Sequence, residues 1–315
     1  MSSQLPFSVT RTLRNSVQQL AHYSGYSLRR ARAQGRARIL MYHAVTPDGL
    51  APQAFEKQLR FLRGHFDVVS LGVLCARHAR HELRGNEVAL TFDDGVRNHL
   101  STVYPALERN KVCATYFVCP GRIERGEWIW NMEMRARLHA LRRDEQVRLA
   151  LEMNCPADDV EGIVAWAKGR TLDVRVEAEN RVRAATPRFV PSALQCDLSA
   201  PLSWTELRSF DPNFVTIGSH TVDHPILPMV DASTALHEIE QSRRQLEARL
   251  DRTVDLFCYP DGAHSAETIE LVRRSYSAGV GTQPGLVADS DSIHHLPRIG
   301  AGERIAAFEW RLHRP

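Results

Sequence analysis

The chain has 315 residues, enough to bury a full core in one large domain or two small ones. With 43% hydrophobic and 24% charged residues it has the makeup of an ordinary globular protein, and a net charge of +3 is too small to make nucleic acid its main partner. No apolar run reaches bilayer-spanning length and the first residues lack the apolar core of a secretory signal, so neither a membrane span nor export is expected. Six cysteines without a CxxC pair read as reduced thiols, which favours a cytoplasmic setting over a disulfide framework.

Residues 1–38 stand apart. Arg11, Arg14, Arg29, Arg30, Arg32, Arg36 and Arg38 are not offset by any Asp or Glu. Leu13, Val17, Leu20 and Ser24 recur at helical spacing, which predicts a basic arm or amphipathic helix. Such a helix either packs on the body of the protein or makes peripheral contact with the inner membrane.

From residue 39 the pattern becomes regular. Strands are expected at 39–43, 67–69, 88–92 and 114–118, separated by helices at about 52–64, 71–81 and 98–110. Short apolar strands alternating with amphipathic helices imply a parallel sheet with helices outside, and this many units indicate an α/β fold of the (β/α) barrel kind. The rhythm breaks between about 121 and 200, where patterns rich in Arg and Glu, such as 132–153 and 160–168, predict a helical insertion. The barrel resumes at Ser203-Trp204-Thr205-Glu206, a helix start of capping-box form. A strand at 214–217 follows, then a helix at 233–250 with Leu236, Ile239, Leu246 and Leu250 inward, a strand at 254–259, a helix at 266–275 and a strand at 278–281. The tail, with His294 and His295, reads as a polar, Asp-rich connection.

His43, Asp93, Asp94, His220 and Asp261 all fall at the carboxyl ends of predicted strands, the rim where barrel enzymes keep their active sites. Asp93 and Asp94 close an apolar strand, where carboxylates need solvent, a counter-charge or a metal. His220 and His224 follow another strand, and a single helical turn there would set both rings on one side. One carboxylate and two imidazoles form a three-ligand set that leaves a divalent metal, zinc before cobalt, nickel or manganese, open to water and substrate.

The segments Thr91-Phe92-Asp93-Asp94-Gly95, His220-Thr221-Val222-Asp223-His224-Pro225 and Phe257-Cys258-Tyr259-Pro260-Asp261-Gly262 resemble, in this order, motifs of the polysaccharide deacetylases, the NodB-homology or carbohydrate esterase family 4 enzymes. The opening Ile39-Leu40-Met41-Tyr42-His43-Ala44-Val45 is similar to the start of a subgroup that includes the poly-N-acetylglucosamine deacetylases. The resemblance covers about residues 36–120 and 200–300. It implies an irregular (β/α) barrel of the NodB-homology type and an N-deacetylase, a hydrolase acting on an N-acetylated amino sugar in a glycan, lipid-linked sugar or polysaccharide precursor.

By that resemblance Asp94, His220 and His224 hold the metal and Asp93 is the general base that takes a proton from the attacking water. The backbone N–H of Asp261 is the oxyanion donor, with Asp in place of the family's usual aromatic residue. His43 is the general acid that protonates the leaving amine, in preference to His294 or His295. The family's arginine tether on the catalytic Asp is missing from the third motif; Arg298 is its candidate substitute, a surface arginine being the equal reading. Trp128 and Trp130 are read as core or interface residues, with stacking on a sugar ring as the alternative. The same apparatus would serve a deformylase or an esterase, and outside enzymes the rival is a non-catalytic glycan-binding scaffold.

Overall fold

The computed structural model describes residues 7–315, with side chains from residue 13 onward. Its eight strands are β1 (Arg38–Tyr42), β2 (Asp67–Val68), β3 (Glu87–Phe92), β4 (Ala114–Val118), β5 (Val215–Ser219), β6 (Leu256–Cys258), β7 (Ala278–Pro284) and β8 (Leu296–Gly300). Every residue of β3 and β4 is buried, as expected of parallel strands covered on both faces. All pairings are parallel, and seven strands close a barrel in the order β1, β3, β4, β5, β6, β7, β8 and back to β1. The two-residue β2 lies beside the start of β3, on the edge that β4 takes further along. The ring is uneven: β5 meets β6 at the single pair Ser219–Phe257, and the β7–β8 register shifts between Val280 and Pro284.

Helices α1 (Phe7–Tyr23), α2 (Tyr26–Ala33), α3 (Pro52–His65), α4 (Leu71–Ala79) and α5 (Tyr104–Asn110) precede the insertion. The insertion holds α6 (Pro120–Arg125), α7 (Trp130–His139), α8 (Arg143–Glu152), α9 (Val160–Lys168), α10 (Leu172–Ala185) and α11 (Ala193–Ser199). After it come α12 (Trp204–Ser209), α13 (Ala232–Leu250), α14 (Ala266–Ser275) and α15 (Ile305–Arg311). The insertion has a hydrophobic cluster of its own, built on Trp130, Met134, Leu138, Ile163, Val164 and Val182. Cys119 and Ile226, from loops at the strand ends, belong to the same cluster and join the insertion to the rim of the barrel.

Several elements differ from expectation. The pattern at 132–153 is two helices rather than one, because Glu145 folds back to accept a hydrogen bond from the Arg142 N–H (2.8 Å) and starts α8 afresh. Leu236 does not face inward: it is 39% exposed, while Ala235, Ile239, Ser242 and Leu246 form the buried side of α13. The strand β8 closes the barrel inside what reads as a polar tail, since Pro297 and the run Asp289-Ser290-Asp291-Ser292 before it look like a connection.

The first helices pack on the end of the chain. His22 Nδ1 lies 2.8 Å from Glu309, Gln34 donates to the His313 carbonyl (2.8 Å), and Arg38 is fully buried, its Nε donating to the Leu312 carbonyl (2.6 Å). Arg38 therefore belongs to the barrel rather than to a solvated arm. The packed side of α1 carries Gln18 and Ala21, whereas Leu13, Val17 and Leu20 point outward at 55%, 49% and 69% exposure. Residues 1–6 and the side chain of Arg11 lie outside the described part. Among the described residues no helix is long and apolar enough to cross a membrane, and all six cysteines are unpaired.

Candidate active site

Two adjacent carboxylates part at the end of β3. The Asp93 N–H continues the ladder to the Tyr42 carbonyl (3.0 Å), and the chain then turns through Asp94 (φ 77°) and Gly95 (φ 62°). A Cβ on Gly95 would stand 2.7 Å from Val118 Cγ1, so glycine is required by both conformation and space. The turn sends Asp93 and Asp94 to different partners.

Asp93 meets Arg298, which reaches across from β8. The guanidinium donates Nη1 to Oδ1 and Nη2 to Oδ2, both at 2.7 Å, with both side chains buried. Arg298 is also held by the Gly281 carbonyl (2.6 Å) and Thr91 Oγ1 (2.9 Å). Burial alone would raise the Asp93 carboxyl, but the Arg298 charge and hydrogen bonds, with His220 and His43 behind them, hold it well below the usual range. Asp93 is thus a fixed carboxylate, and the surface reading of Arg298 does not apply.

Asp94 faces the histidines. The His220 N–H extends β5 by bonding the Val118 carbonyl (3.0 Å), and the chain then kinks at Thr221 (φ 66°) and His224 (φ 60°) rather than making the helical turn expected. Thr221 Oγ1 accepts from the His224 N–H (3.0 Å), and Glu238 of α13 accepts from the N–H groups of Val222 (2.8 Å) and Asp223 (2.9 Å). These bonds bring the two imidazoles to 4.7 Å between centroids. His220 Nδ1 donates to the Cys258 carbonyl (2.7 Å), which leaves its Nε2 as a lone-pair donor. The Nε2 atoms of His220 and His224 lie 3.7 and 3.6 Å from Asp94 Oδ1, too long for hydrogen bonds. Donor atoms about 2.0–2.1 Å from a tetrahedral zinc stand about 3.4 Å apart, close to this spacing. Asp94 makes no hydrogen bond to any described residue, and its burial raises the carboxyl above its ordinary value. A buried carboxylate facing two imidazole nitrogens, with no hydrogen bond joining them, fits a divalent cation.

Asp93, His220 and Cys258 also cluster closely enough to be considered. Arg298 Nη2 already occupies the space between Asp93 and Cys258 Sγ (3.2 Å), and burial pushes the thiol far up, so it is protonated. A guanidinium and a neutral thiol do not make a cation site. The set Asp94, His220 and His224 remains.

A profile of the family described as polysaccharide deacetylase matches residues 80–276, well over half of the chain. The chain belongs to the polysaccharide deacetylase family. Among solved structures it is similar to the Streptococcus pyogenes deacetylase PplD in complex with acetate, at 19% identity and a TM-score of 0.62 over 89% of this chain and 99% of that one. IcaB from Ammonifex degensii superposes with a TM-score of 0.59 at 17% identity, over 88% and 97% of the two chains. The BpsB deacetylase domain from Bordetella bronchiseptica gives 0.54 at 15%, over 84% and 95%. At such identities the likeness is one of fold, the irregular seven-stranded barrel. The curated protein YxkH of Bacillus subtilis (strain 168), named as a proposed polysaccharide deacetylase, is 24% identical over 110 residues. That match spans 34% of this chain and 39% of the relative.

In this member of the family the carboxylates and imidazoles line a pocket of about 360 Å³ together with His43, Asp261, Met41 and Thr282. Asn131, Met132 and Arg135 of α7 and Lys168 of α9 complete its wall, so the insertion forms part of the site. His43 is exposed to the pocket, and its carbonyl accepts from His99 Nε2 (2.6 Å). His294 and His295 are outside the lining; His295 packs against His264 with ring centroids 3.7 Å apart and planes tilted by 43°. Asp261 adopts φ 56° and is ion-paired with Lys168. Trp130 is fully buried and donates its Nε1–H to the His224 carbonyl (3.1 Å), which excludes sugar stacking; Trp128 is half-buried and not in the lining. Glu238, Trp130 and Lys168 carry no motif signal. Glu238 lies 15 and 16 positions from the N–H groups it supports, Trp130 and Lys168 94 and 93 positions from theirs, and only folding brings them together.

Proposed function

We propose that this protein is a metal-dependent hydrolase that removes an N-acetyl group from an amino sugar in a glycan or polysaccharide precursor. The observation that carries the reading is the convergence of Asp94 and the Nε2 atoms of His220 and His224 at 3.6–3.7 Å without hydrogen bonds, beside a carboxylate clamped by a buried arginine. Asp94, His220 and His224 would hold the ion, and zinc, cobalt, nickel or manganese would suit their one oxygen and two nitrogens. Such an ion polarises the acyl carbonyl and makes water more acidic when bound.

The chain's own groups do the rest. Asp93 accepts the proton of the attacking water; its two oxygens are fixed by Arg298, so the acceptor does not need to reorganise. Asp261 lines the pocket wall with its side chain ion-paired to Lys168, and its backbone N–H is the donor assigned to the developing oxyanion. His43, exposed at the end of β1, hands a proton to the amine so that it can leave.

The test is amine release from N-acetylated sugar oligomers, with metal content measured on the same samples. Asp93→Asn is expected to keep the metal and lose activity by about a hundredfold or more. His220→Ala is expected to lose both. Full activity in Asp93→Asn would end this assignment.

A further inference from the structure

Outside the pocket just described, a second and larger hollow of about 560 Å³ opens between α1, the loop after β8 and α15. Arg14, Arg304, Arg311 and Arg314 line it, together with Trp310 and with Glu303 as its one acidic side chain. None of the four guanidinium groups has a carboxylate partner among the described residues. Arg304 donates to Asn15 (2.5 Å), Arg311 to the Gly300 carbonyl (2.8 Å), and Arg314 lies 5.8 Å from the centre of the Trp310 ring. Elsewhere the surface arginines of this protein are commonly paired with acids, as Arg109 is with Glu56, Arg135 with Glu161 and Arg249 with Glu124.

Four like charges around one hollow repel one another, and an anion between them removes that repulsion. A guanidinium presents a planar pair of donors that matches two phosphate oxygens, and it keeps its charge at every physiological pH. We propose that this cavity is a binding site for a phosphate or diphosphate group. It stands beside the catalytic pocket: the Ala301 N–H donates to the Met41 carbonyl (3.1 Å), and Met41 lines the other hollow. The proposal does not depend on the hydrolytic reading, because it concerns binding alone.

The phosphate has two available sources, a soluble phosphorylated compound or a lipid headgroup, and the outward row Leu13, Val17 and Leu20 beside Arg14 suits the second. The full-length protein is titrated with inorganic pyrophosphate at fixed ionic strength and, separately, sedimented with phosphatidylglycerol or phosphatidylcholine vesicles. The variant is Arg14→Gln with Arg314→Gln, two exposed residues with no side-chain hydrogen bond or ion pair among the described residues; His220→Ala serves as a second variant that removes a ligand of the proposed metal. Pyrophosphate binding is expected to weaken about tenfold in the double variant and to persist in His220→Ala. Phosphatidylglycerol-dependent sedimentation that the double variant loses, without pyrophosphate binding, assigns the site to a headgroup. Ligand binding equal in wild type and double variant, or pyrophosphate binding abolished by His220→Ala, overturns the proposal.

Discussion

The barrel and the helical insertion both build the pocket, by different means. Asp93, Asp94 and His220 are the first residues beyond β3 and β5, so backbone ladders to Tyr42 and Val118 fix where they start. The insertion reaches the same place through one backbone bond, Gly121 N–H to the Val222 carbonyl (3.0 Å), and otherwise through side chains: Trp130 to the His224 carbonyl, Arg122 to the Asp223 carbonyl (3.2 and 3.3 Å), and Lys168 to Asp261. Groups set by strand register are held by the whole sheet, whereas a side-chain strut can be removed singly. Damage to the first should therefore abolish function, and damage to the second should tune it.

Arg298→Met is the severest test of the barrel half. It leaves a buried, unpaired Asp93 and is expected to cost about 3–5 kcal/mol, read by urea unfolding, along with most of the amine release. A variant that unfolds at the wild-type midpoint would show that the clamp is not structural. Trp130→Phe is the matching cut in the insertion. It keeps the ring in its cluster and deletes one buried hydrogen bond to the His224 carbonyl, for about 1 kcal/mol of stability and a weaker hold on metal measured by chelator competition. Metal affinity equal to wild type would remove the insertion from the support of the histidine turn.

Glu238 links stability to pH. Burial pushes its carboxyl up to about 7, while in the unfolded chain it titrates in the ordinary range of about 4.3. A raised carboxyl favours the folded state while protonated, so this contribution is present below about pH 4.3 and is lost as pH rises through 7. Thermal midpoints of wild type are expected to fall relative to Glu238→Gln between about pH 5 and 8; parallel curves would contradict the shift. Lys168→Met should have the smallest effect. Its ion pair with Asp261 is part-exposed, so less than about 1 kcal/mol of stability is at stake, and the change should appear in KM before kcat.

Much of the barrel was legible because its strands are short, apolar and separated by amphipathic helices with recognisable caps, as at Ser203 and Glu206. The tip of β3 was legible too, since an Asp-Asp-Gly sequence ending an apolar strand implies a tight turn and an unusual charge pair. What failed was local reading against global need. The strand β8 contains a proline and follows a polar run, yet it closes the barrel and carries Arg298. On α1 the outward stripe runs against amphipathic logic, because His22, Gln18 and Ala21 on the other side are engaged by α15 and its neighbours.

The linear order of residues determined the repeating strand and helix units and the candidate donors Asp94, His220 and His224, because periodicity and residue chemistry are local properties. Only the folded chain decided that Asp93 belongs to Arg298 and Asp94 to the imidazoles, that Cys258 is excluded by the guanidinium beside it, and that Trp130 serves the backbone of His224. Those choices depend on contacts between residues some forty to two hundred positions apart, and such distances are set by barrel closure and left-handed turns rather than by any pattern within one segment.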